Sequence, residues 1–252
     1  MNGAVLLATM LNPAWTLVWE DDFEKAGRPD PKKWAYETGY IRNKEIQYYT
    51  KDRPENARVE NGKLVIEARK DGFDGKPVSS ASLTTSGKES WTYGRFEVRA
   101  KFPTGKGTWP AIWFLGDNMS KVGWPKCGEI DLMENVGYDP NKVHFNIHTQ
   151  AYNHMKGTGK GTNFEVPDAF KEFHDYALEW FPDRLDFYFD GEKKFTYAKE
   201  AGATEDQWPY DKPQYLILNL AIGGAWGGQQ GVDESIYPAK YEIEHVRIYK
   251  QK

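Results

Sequence analysis

One short segment, Gly128–Asn135, constrains the fold more than any other part of this chain. Its sequence, GEIDLMEN, places three carboxylates within six residues, between apolar side chains that belong in a core. In an extended strand successive side chains point to opposite faces, so Glu129 and Asp131 share one face while Ile130 points to the other. The segment therefore predicts a half-buried β-strand with acids on one face.

Glu134 falls out of this alternation, because it lies an odd number of residues after Asp131. One extra residue around Leu132 and Met133, accommodated as a β-bulge, would shift the register by one and return Glu134 to the acidic face. Leu132 and Met133 would then join Ile130 in the core. We predict such a bulge, with all three acids along one cleft.

Three acids on one strand face suit several kinds of site. Two facing carboxylates are the minimal equipment of a glycosidase, one as nucleophile or base and the other as proton donor. A solvated strand face is the plain alternative, and for a random match to this spacing it is the better explanation. A divalent-cation site is a third, although the spacing lacks the loop of an EF-hand and no His or Cys cluster lies close in sequence.

The rest of the chain predicts short strands and little helix. Strand-like segments rich in β-branched and aromatic residues occur at 64–69, 94–100, 176–180 and 185–189, the last followed by the turn pair Asp190-Gly191. Helical periodicity is limited to a turn or two near 167–171 and 204–207. We predict an all-β sandwich of two antiparallel sheets, one of which curves into a concave groove that suits a polymer.

Composition narrows the range of partners. The net charge of −4, with Lys and Arg scattered, provides no basic field for nucleic acid. The chain nevertheless holds 10 Trp, 15 Tyr and 13 Phe, and aromatics on a polar protein indicate a sugar-binding surface, because pyranose C–H faces stack on aromatic rings. The single Cys127 excludes an internal disulfide and is expected to be a small buried hydrophobe.

The N-terminus carries a short apolar run, residues 3–11. It resembles the apolar part of a signal peptide, but no basic residue precedes it and it is too short to span a bilayer. We expect residues 1–14 to be an N-terminal extension or the remnant of an export signal, and residues 15–252 to form a single domain. A secreted or periplasmic protein without a membrane span is the corresponding prediction.

The chain resembles glycoside hydrolase family 16, and within it the laminarinase-like endo-β-1,3-glucanases, over about residues 15–250. The most specific similarities are Glu129–Glu134, the bulged form of the family signature, and Trp109–Gly116. Other similar segments are 19–23, 43–50, 93–101, 219–228 and 246–249. The resemblance implies a β-jelly-roll whose single catalytic domain cleaves β-1,3-glucan internally, through a covalent glycosyl-enzyme, with retention of configuration.

The resemblance also implies a role for each site residue. Glu129 would be the nucleophile, Glu134 the acid/base and Asp131 a support for the nucleophile. Neighbouring negative charges should let Glu134 stay protonated while Glu129 is ionised. His148 matches a histidine that the family places near the acid/base. The substrate-binding positions implied in this way are Trp109, Trp113 and Trp226 as sugar-stacking rings, Asn43, Glu45 and Arg95 as hydroxyl-binding or site-ordering partners, and His148. The glycines that flank Trp226 permit a tight loop that presents its ring to a ligand.

A structural calcium ion on the convex face is a further implication of the resemblance. Its ligands would be backbone oxygens near Glu20 and Gly62 and the side chain of Glu244, where the family usually has Asp. No cofactor is implied for catalysis, and we expect a monomer whose partner is the polysaccharide substrate.

Alternatives within the same fold stay open from the sequence. They are a mixed-linkage β-1,3-1,4-glucanase, a galactan hydrolase, a transglycosylase and a non-catalytic carbohydrate-binding jelly-roll. The presence of both Glu129 and Glu134 argues against the non-catalytic alternative.

Overall fold

The computed structural model describes residues 15–252, so the extension or export signal predicted for residues 1–14 lies outside the described part. Regular structure in that part is almost entirely strand. The strands are β1 Trp15–Asp21, β2 Ala35–Tyr36, β3 Tyr48–Tyr49, β4 Ala57–Glu60, β5 Lys63–Ala68, β6 Ser79–Ser80, β7 Ser82–Thr84, β8 Gly94–Lys101, β9 Thr108–Gly116, β10 Glu129–Glu134, β11 Lys142–His148, β12 Lys160–Glu165, β13 His174–Trp180, β14 Arg184–Phe189, β15 Glu192–Ala198, β16 Gln214–Ile222 and β17 Ala239–Gln251.

The strands build two antiparallel sheets packed face to face, which confirms the predicted sandwich. The groove sheet has the order β12-β11-β10-β9-β16-β7-β2. The back sheet has the order β15-β14-β13-β8-β17-β5-β4, with β1 also paired to β17. A small parallel pair, β3 with β6, lies apart from both sheets. The acidic strand β10 thus lies inside the groove sheet, between β9 and β11.

The strands predicted from residue type are confirmed as β5, β8, β13 and β14. Asp190 and Gly191 connect β14 to β15 with φ of 46° and 78°, the positive values that a tight hairpin turn requires. The segments 167–171 and 204–207 form turns instead of helices. The α-helix of the described range is the single turn α1, Met119–Val122, with short 3₁₀ turns at Phe73–Gly75, His154–Lys156 and Glu234–Ile236. No helix in the described range is long and apolar enough to cross a membrane.

β10 contains the predicted bulge. Against β9, Asp131 pairs with Trp113 but Met133 pairs with Ile112, so Leu132 is the extra residue on the acidic strand. The pairing with β11 breaks over the same stretch. The one-residue shift changes the parity of every side chain that follows it.

The bulge sorts the side chains of β10 as predicted. Ile130, Leu132 and Met133 are fully buried in the core between the sheets. Glu129 and Glu134, at the two ends of the strand, are only partly buried. Burying three large apolar side chains contributes about 1.5–3 kcal/mol each, so the core side of β10 offsets the cost of crowding acids on the other side.

The chain leaves β10 through a very close approach at Gly137. The Gly137 amide donates to the Thr108 carbonyl at 2.8 Å. A Cβ at this position would lie 1.9 Å from the Gly105 carbonyl oxygen and 2.2 Å from Thr108 Oγ1. Only glycine therefore lets the exit of the acidic strand pack against the chain that enters β9.

We expect Gly137→Ala to lower the free energy of unfolding by about 1–3 kcal/mol or more, because the added methyl group has no space. Gly159→Ala is the matched control, since a Cβ there has no neighbour closer than 4.0 Å. The control should change stability by less than about 1 kcal/mol. Urea unfolding of both variants measures the difference, and equal stabilities would show that the contact at Gly137 does not constrain the fold.

Candidate active site

The acids of β10 face different surroundings on their two sides. On β11 the residues opposite the three acids are polar, namely His148, Asn146 and His144. On the side of β9 an apolar cluster continues the groove face, formed by Ala111, Trp113, Leu115, Cys127 and Ile217. Polar partners for the acids come from β11, from Trp109 near the start of β9 and from the loop before β10.

Glu129 lies at the start of β10 and is held by an indole. Trp124 Nε1 donates to Glu129 Oε2 at 3.0 Å, and His148 Nε2 lies 3.7 Å from Oε1. Burial raises the pKa of Glu129 to about 8, and repulsion from Glu134 adds to this. The Trp124 hydrogen bond and the positive charge of Arg42 act in the opposite direction.

Asp131 is the most deeply buried of the three acids, with 2% of its surface exposed. Burial, followed by the charges of Glu129 and Glu134, raises its pKa well above the usual range. A hydrogen bond between the two neighbouring carboxyls lowers the pKa of Glu129 and raises that of Asp131. This contact therefore favours the proton on Asp131 and the negative charge on Glu129.

Glu134, at the other end of β10, has its own pair of donors. Trp109 Nε1 donates to Oε1 at 3.0 Å, and Asn146 Nδ2 donates to Oε2 at 3.2 Å. Burial nevertheless raises the pKa of Glu134, because it outweighs these two hydrogen bonds. Each glutamate is thus oriented by a separate tryptophan N–H, with the buried Asp131 between them.

The predicted tight loop presents Trp226 beside Glu134. Gly223 and Gly224 have φ of 71° and 76°, which permits the turn. The half-buried Trp226 ring packs edge-to-face on Trp109 at 5.5 Å and on His144 at 4.9 Å between ring centroids. An aromatic wall therefore adjoins the Glu134 end of the acidic strand.

Asn43 and Glu45 support that loop from below. Buried Glu45 accepts hydrogen bonds from Asn43 Nδ2 at 3.1 Å, Gln47 Nε2 at 2.7 Å and Tyr49 Oη at 3.3 Å. The Asn43 carbonyl accepts from the Ala225 amide at 2.8 Å. Of the two functions predicted for this pair, hydroxyl binding and site ordering, these contacts correspond to site ordering.

Trp113 was predicted to stack on a sugar, but its ring is not free. It is 7% exposed, and its Nε1 donates to Asn219 Oδ1 at 2.7 Å. The Arg42 guanidinium lies over the ring, 4.9 Å from its centroid. The structure therefore places Trp113 in the floor of the groove, beneath Arg42.

The prediction that Arg95 belongs to the site is wrong. Arg95 lies on β8 of the back sheet, where Phe96 points into the core and Arg95 points away from it. Its guanidinium bonds Glu97 at 2.6 Å and Glu179 at 2.8 Å on that outer surface. Strand alternation puts it on the opposite side of the sandwich from the acids.

His148 belongs to the site, but not at the predicted position. It lies opposite Glu129, and its Nε2 is 3.4 Å from Asp131 Oδ2, whereas the residues that flank Glu134 are Asn146 and His144. Burial lowers the pKa of His148 to about 4. Four further residues of the site were not predicted from the sequence, namely Arg42, Trp124, His144 and Asn146. Alternation along β11 was the available signal for the last two.

Two of the groups predicted to bind calcium are engaged by cationic side chains of the protein. The Glu20 carbonyl accepts from Lys33 Nζ at 2.6 Å. The Glu244 carboxylate, the only charged ligand predicted, accepts from Arg99 Nε at 2.8 Å. Two of the three predicted groups are therefore already bonded to cationic side chains of the protein.

A jelly-roll with two separately held glutamates on one strand face defines a glycoside hydrolase. The family model for glycosyl hydrolases family 16 matches residues 44–246, and the chain belongs to this family. It is 48% identical over 246 residues to a beta-glucanase of Rhodothermus marinus, an alignment that covers 94% of this chain and 86% of the relative.

Solved structures agree with this assignment. The laminarinase from Rhodothermus marinus superposes with a TM-score of 0.92 at 47% identity, covering 95% of this chain and 99% of that one. SCLam, a non-specific endo-beta-1,3(4)-glucanase, superposes with a TM-score of 0.90 at 46% identity, covering 96% and 95% of the two chains.

We expect Asp131→Asn to change how stability depends on pH. Below its ordinary pKa of about 3.9 the Asp131 carboxyl is protonated in both folded and unfolded chains. As the pH rises, the unfolded chain releases this proton while the folded chain retains it, so the parent loses stability with a limiting slope of about 1.4 kcal/mol per pH unit. The amide of the variant cannot ionise. The free energy of unfolding of the variant, measured with urea, should therefore rise relative to that of the parent between about pH 4 and neutral pH.

Asp186→Asn is the matched control for this prediction. Asp186 is equally buried, but it bonds Arg184 Nε at 2.9 Å and Thr196 Oγ1. Its replacement should therefore destabilise the protein at neutral pH. An Asp131→Asn variant that loses stability with rising pH as steeply as the parent would show that Asp131 does not stay protonated.

Proposed function

We propose that this chain is an endo-acting, retaining hydrolase of β-1,3-glucan that also accepts mixed-linkage β-1,3-1,4-glucan. The observation that carries the proposal is the arrangement of Glu129 and Glu134 on one strand face, each oriented by its own indole N–H. The substrate class is supported by similar proteins named beta-glucanase, laminarinase and non-specific endo-beta-1,3(4)-glucanase.

In the first step Glu129 attacks the anomeric carbon of the bound sugar and forms a covalent glycosyl-enzyme. Glu134 donates its proton to the glycosidic oxygen, so that the leaving sugar departs as a neutral alcohol. Burial and the charge of Glu134 raise the pKa of Glu129 to about 8, and the hydrogen bonds from Trp124 and Asp131 act against this rise and favour the ionised form that attacks. Trp124 holds the second carboxylate oxygen in place.

In the second step Glu134 acts as a base. Esterification of Glu129 removes its negative charge, and with it the repulsion between the two glutamates. Glu134 can then stay ionised, take a proton from water and direct the resulting attack on the anomeric carbon. The product regains the β configuration, and Glu134 regains the proton it lost.

Aromatic rings at both ends of β10 support cleavage within a polymer. Trp226, Trp109 and His144 lie at the Glu134 end. At the Glu129 end, the Trp124 ring lies 5.9 Å from His148 and 5.4 Å from His154. Sugars can stack on both sides of the point of cleavage, which is what an endo-acting enzyme needs.

Hydrolysis of laminarin, barley β-glucan, agarose and xyloglucan tests the proposal. We expect a ladder of oligosaccharides from laminarin and the β-anomer first by proton NMR. Glu129→Ala and Glu134→Ala should each lose turnover by at least about 10²–10⁴-fold. Arg95→Gln, on the back sheet, is the control and should keep kcat within about twofold.

Three results would contradict parts of this proposal. A single small product from the start would indicate exo action. An initial α-anomer would exclude retention. A folded protein that cleaves no glucan containing β-1,3 linkages would contradict the substrate assignment.

We further propose that the protein acts as a monomer outside the cytoplasm. All residues used in the mechanism come from one chain, and the apolar residues 3–11 resemble the apolar part of an export signal. The reaction uses carboxyl groups alone and needs no cofactor. A structural calcium ion has no support from Glu20 or Glu244, which Lys33 and Arg99 already engage.

A further inference from the structure

Glu129, Asp131 and His148 form a compact group of potential metal ligands. One donor atom from each lies within 4.8 Å of the other two. His148 Nε2 is 3.4 Å from Asp131 Oδ2 and 3.7 Å from Glu129 Oε1. Zinc binds imidazole nitrogen and carboxylate oxygen at about 2.0–2.2 Å, so two ligands of one ion lie up to about 4 Å apart. Both measured distances fit a shared ion.

A second observation concerns unused hydrogen-bonding capacity. The Asp131 side chain is 3% exposed, and its buried Oδ2, directed at His148 Nε2, has no hydrogen-bond partner. Buried polar atoms normally find partners, so an unpartnered carboxyl oxygen that faces an imidazole nitrogen indicates a ligand between them.

The donor set discriminates between metals. Ca²⁺ and Mg²⁺ prefer six or more oxygen ligands, whereas one imidazole with two carboxylates suits a first-row ion such as Zn²⁺. Three protein ligands also leave a fourth position for water on the partly exposed groove side of Glu129 and His148. The sequence lacks a metal motif here because the histidine comes from β11, not from β10.

We propose that Glu129, Asp131 and His148 form a reversible inhibitory site for Zn²⁺. The ion occupies the carboxylate that the proposed reaction needs as its nucleophile, so metal and glucan exclude each other. The inhibitory part rests on the proposed function, whereas metal binding itself does not.

Calorimetric titration of the purified protein with Zn²⁺ tests the site directly. We expect one ion per chain, removable with EDTA. Asp131→Asn and His148→Phe should each bind Zn²⁺ at least about tenfold more weakly, because each removes one of three ligands. Circular dichroism and melting temperatures establish whether both variants are folded. If His148→Phe does not fold, Asp131→Asn still tests the site, because this substitution preserves the size of the side chain.

His154→Ala is the matched control. The His154 ring lies 5.1 Å from the His148 ring and offers a second imidazole without belonging to the cluster. This variant should keep the parent affinity for Zn²⁺. Unchanged Zn²⁺ affinity in folded Asp131→Asn would overturn the proposed site, and so would a loss in His154→Ala as large as the loss in His148→Phe, since the ion would then bind the imidazole pair.

Kinetics with laminarin test the inhibition separately. Zn²⁺ should raise the apparent KM without changing kcat, and saturating β-1,3-gluco-oligosaccharide should in turn prevent Zn²⁺ binding, because linkage is reciprocal. Zn²⁺ binding that leaves hydrolysis unchanged would overturn the inhibitory role. A protein that cleaves no glucan would refute the proposed function, while the calorimetric comparison of variants would still decide the metal site.

Discussion

Repulsion among three carboxyl groups on one face of β10 is the constraint on which the rest of this structure depends. Burial raises the pKa of Glu129, Asp131 and Glu134 together, so the three do not all carry charge at neutral pH. A proton on Asp131 relieves the crowding and leaves Glu129 with a hydrogen-bond donor. The same crowding that is costly to the fold produces the different protonation states that acid/base chemistry requires.

A β-bulge, core packing and two tryptophan hydrogen bonds hold the acids of β10 in place. The bulge at Leu132 corrects the parity of Glu134, and the core side of β10 anchors the strand between the sheets. Trp124 and Trp109 then orient the two glutamates, the first from the loop before β10 and the second from β9. The glutamates are therefore held by packed side chains and not by flexible surface contacts, which is what a preorganised site needs.

Local patterns in the sequence predicted much of this arrangement. Alternation and its single interruption were enough to predict the bulge and the buried faces of Ile130, Leu132 and Met133, because strand parity is a property of neighbouring residues. The sandwich followed from short strands bounded by turn residues. Trp226 was predicted from its flanking glycines, and the structure places it beside Trp109.

The remaining site residues depend on contacts that a single sequence does not contain. Alternation along β11 could place Asn146 and His144 on one face, but their position beside Glu134 depends on the register between β10 and β11. Trp124 reaches Glu129 from a loop. Arg95 illustrates the opposite error, because a segment shared with the family identified a strand correctly but placed its polar face on the wrong side of the sandwich. The burial of Trp113 beneath Arg42 likewise depends on a loop distant in sequence.

Trapping the glycosyl-enzyme tests the proposed division of labour between the glutamates most directly. A 2-deoxy-2-fluoro-β-laminaribiosyl fluoride slows hydrolysis of the intermediate more than its formation, so the protein should accumulate one covalent sugar per chain. Peptide mapping by mass spectrometry then locates the modified residue. We expect the label on Glu129, with none in the Glu129→Ala protein. A label on Glu134, or on any peptide that lacks Glu129, would contradict the assignment of Glu129 as the nucleophile.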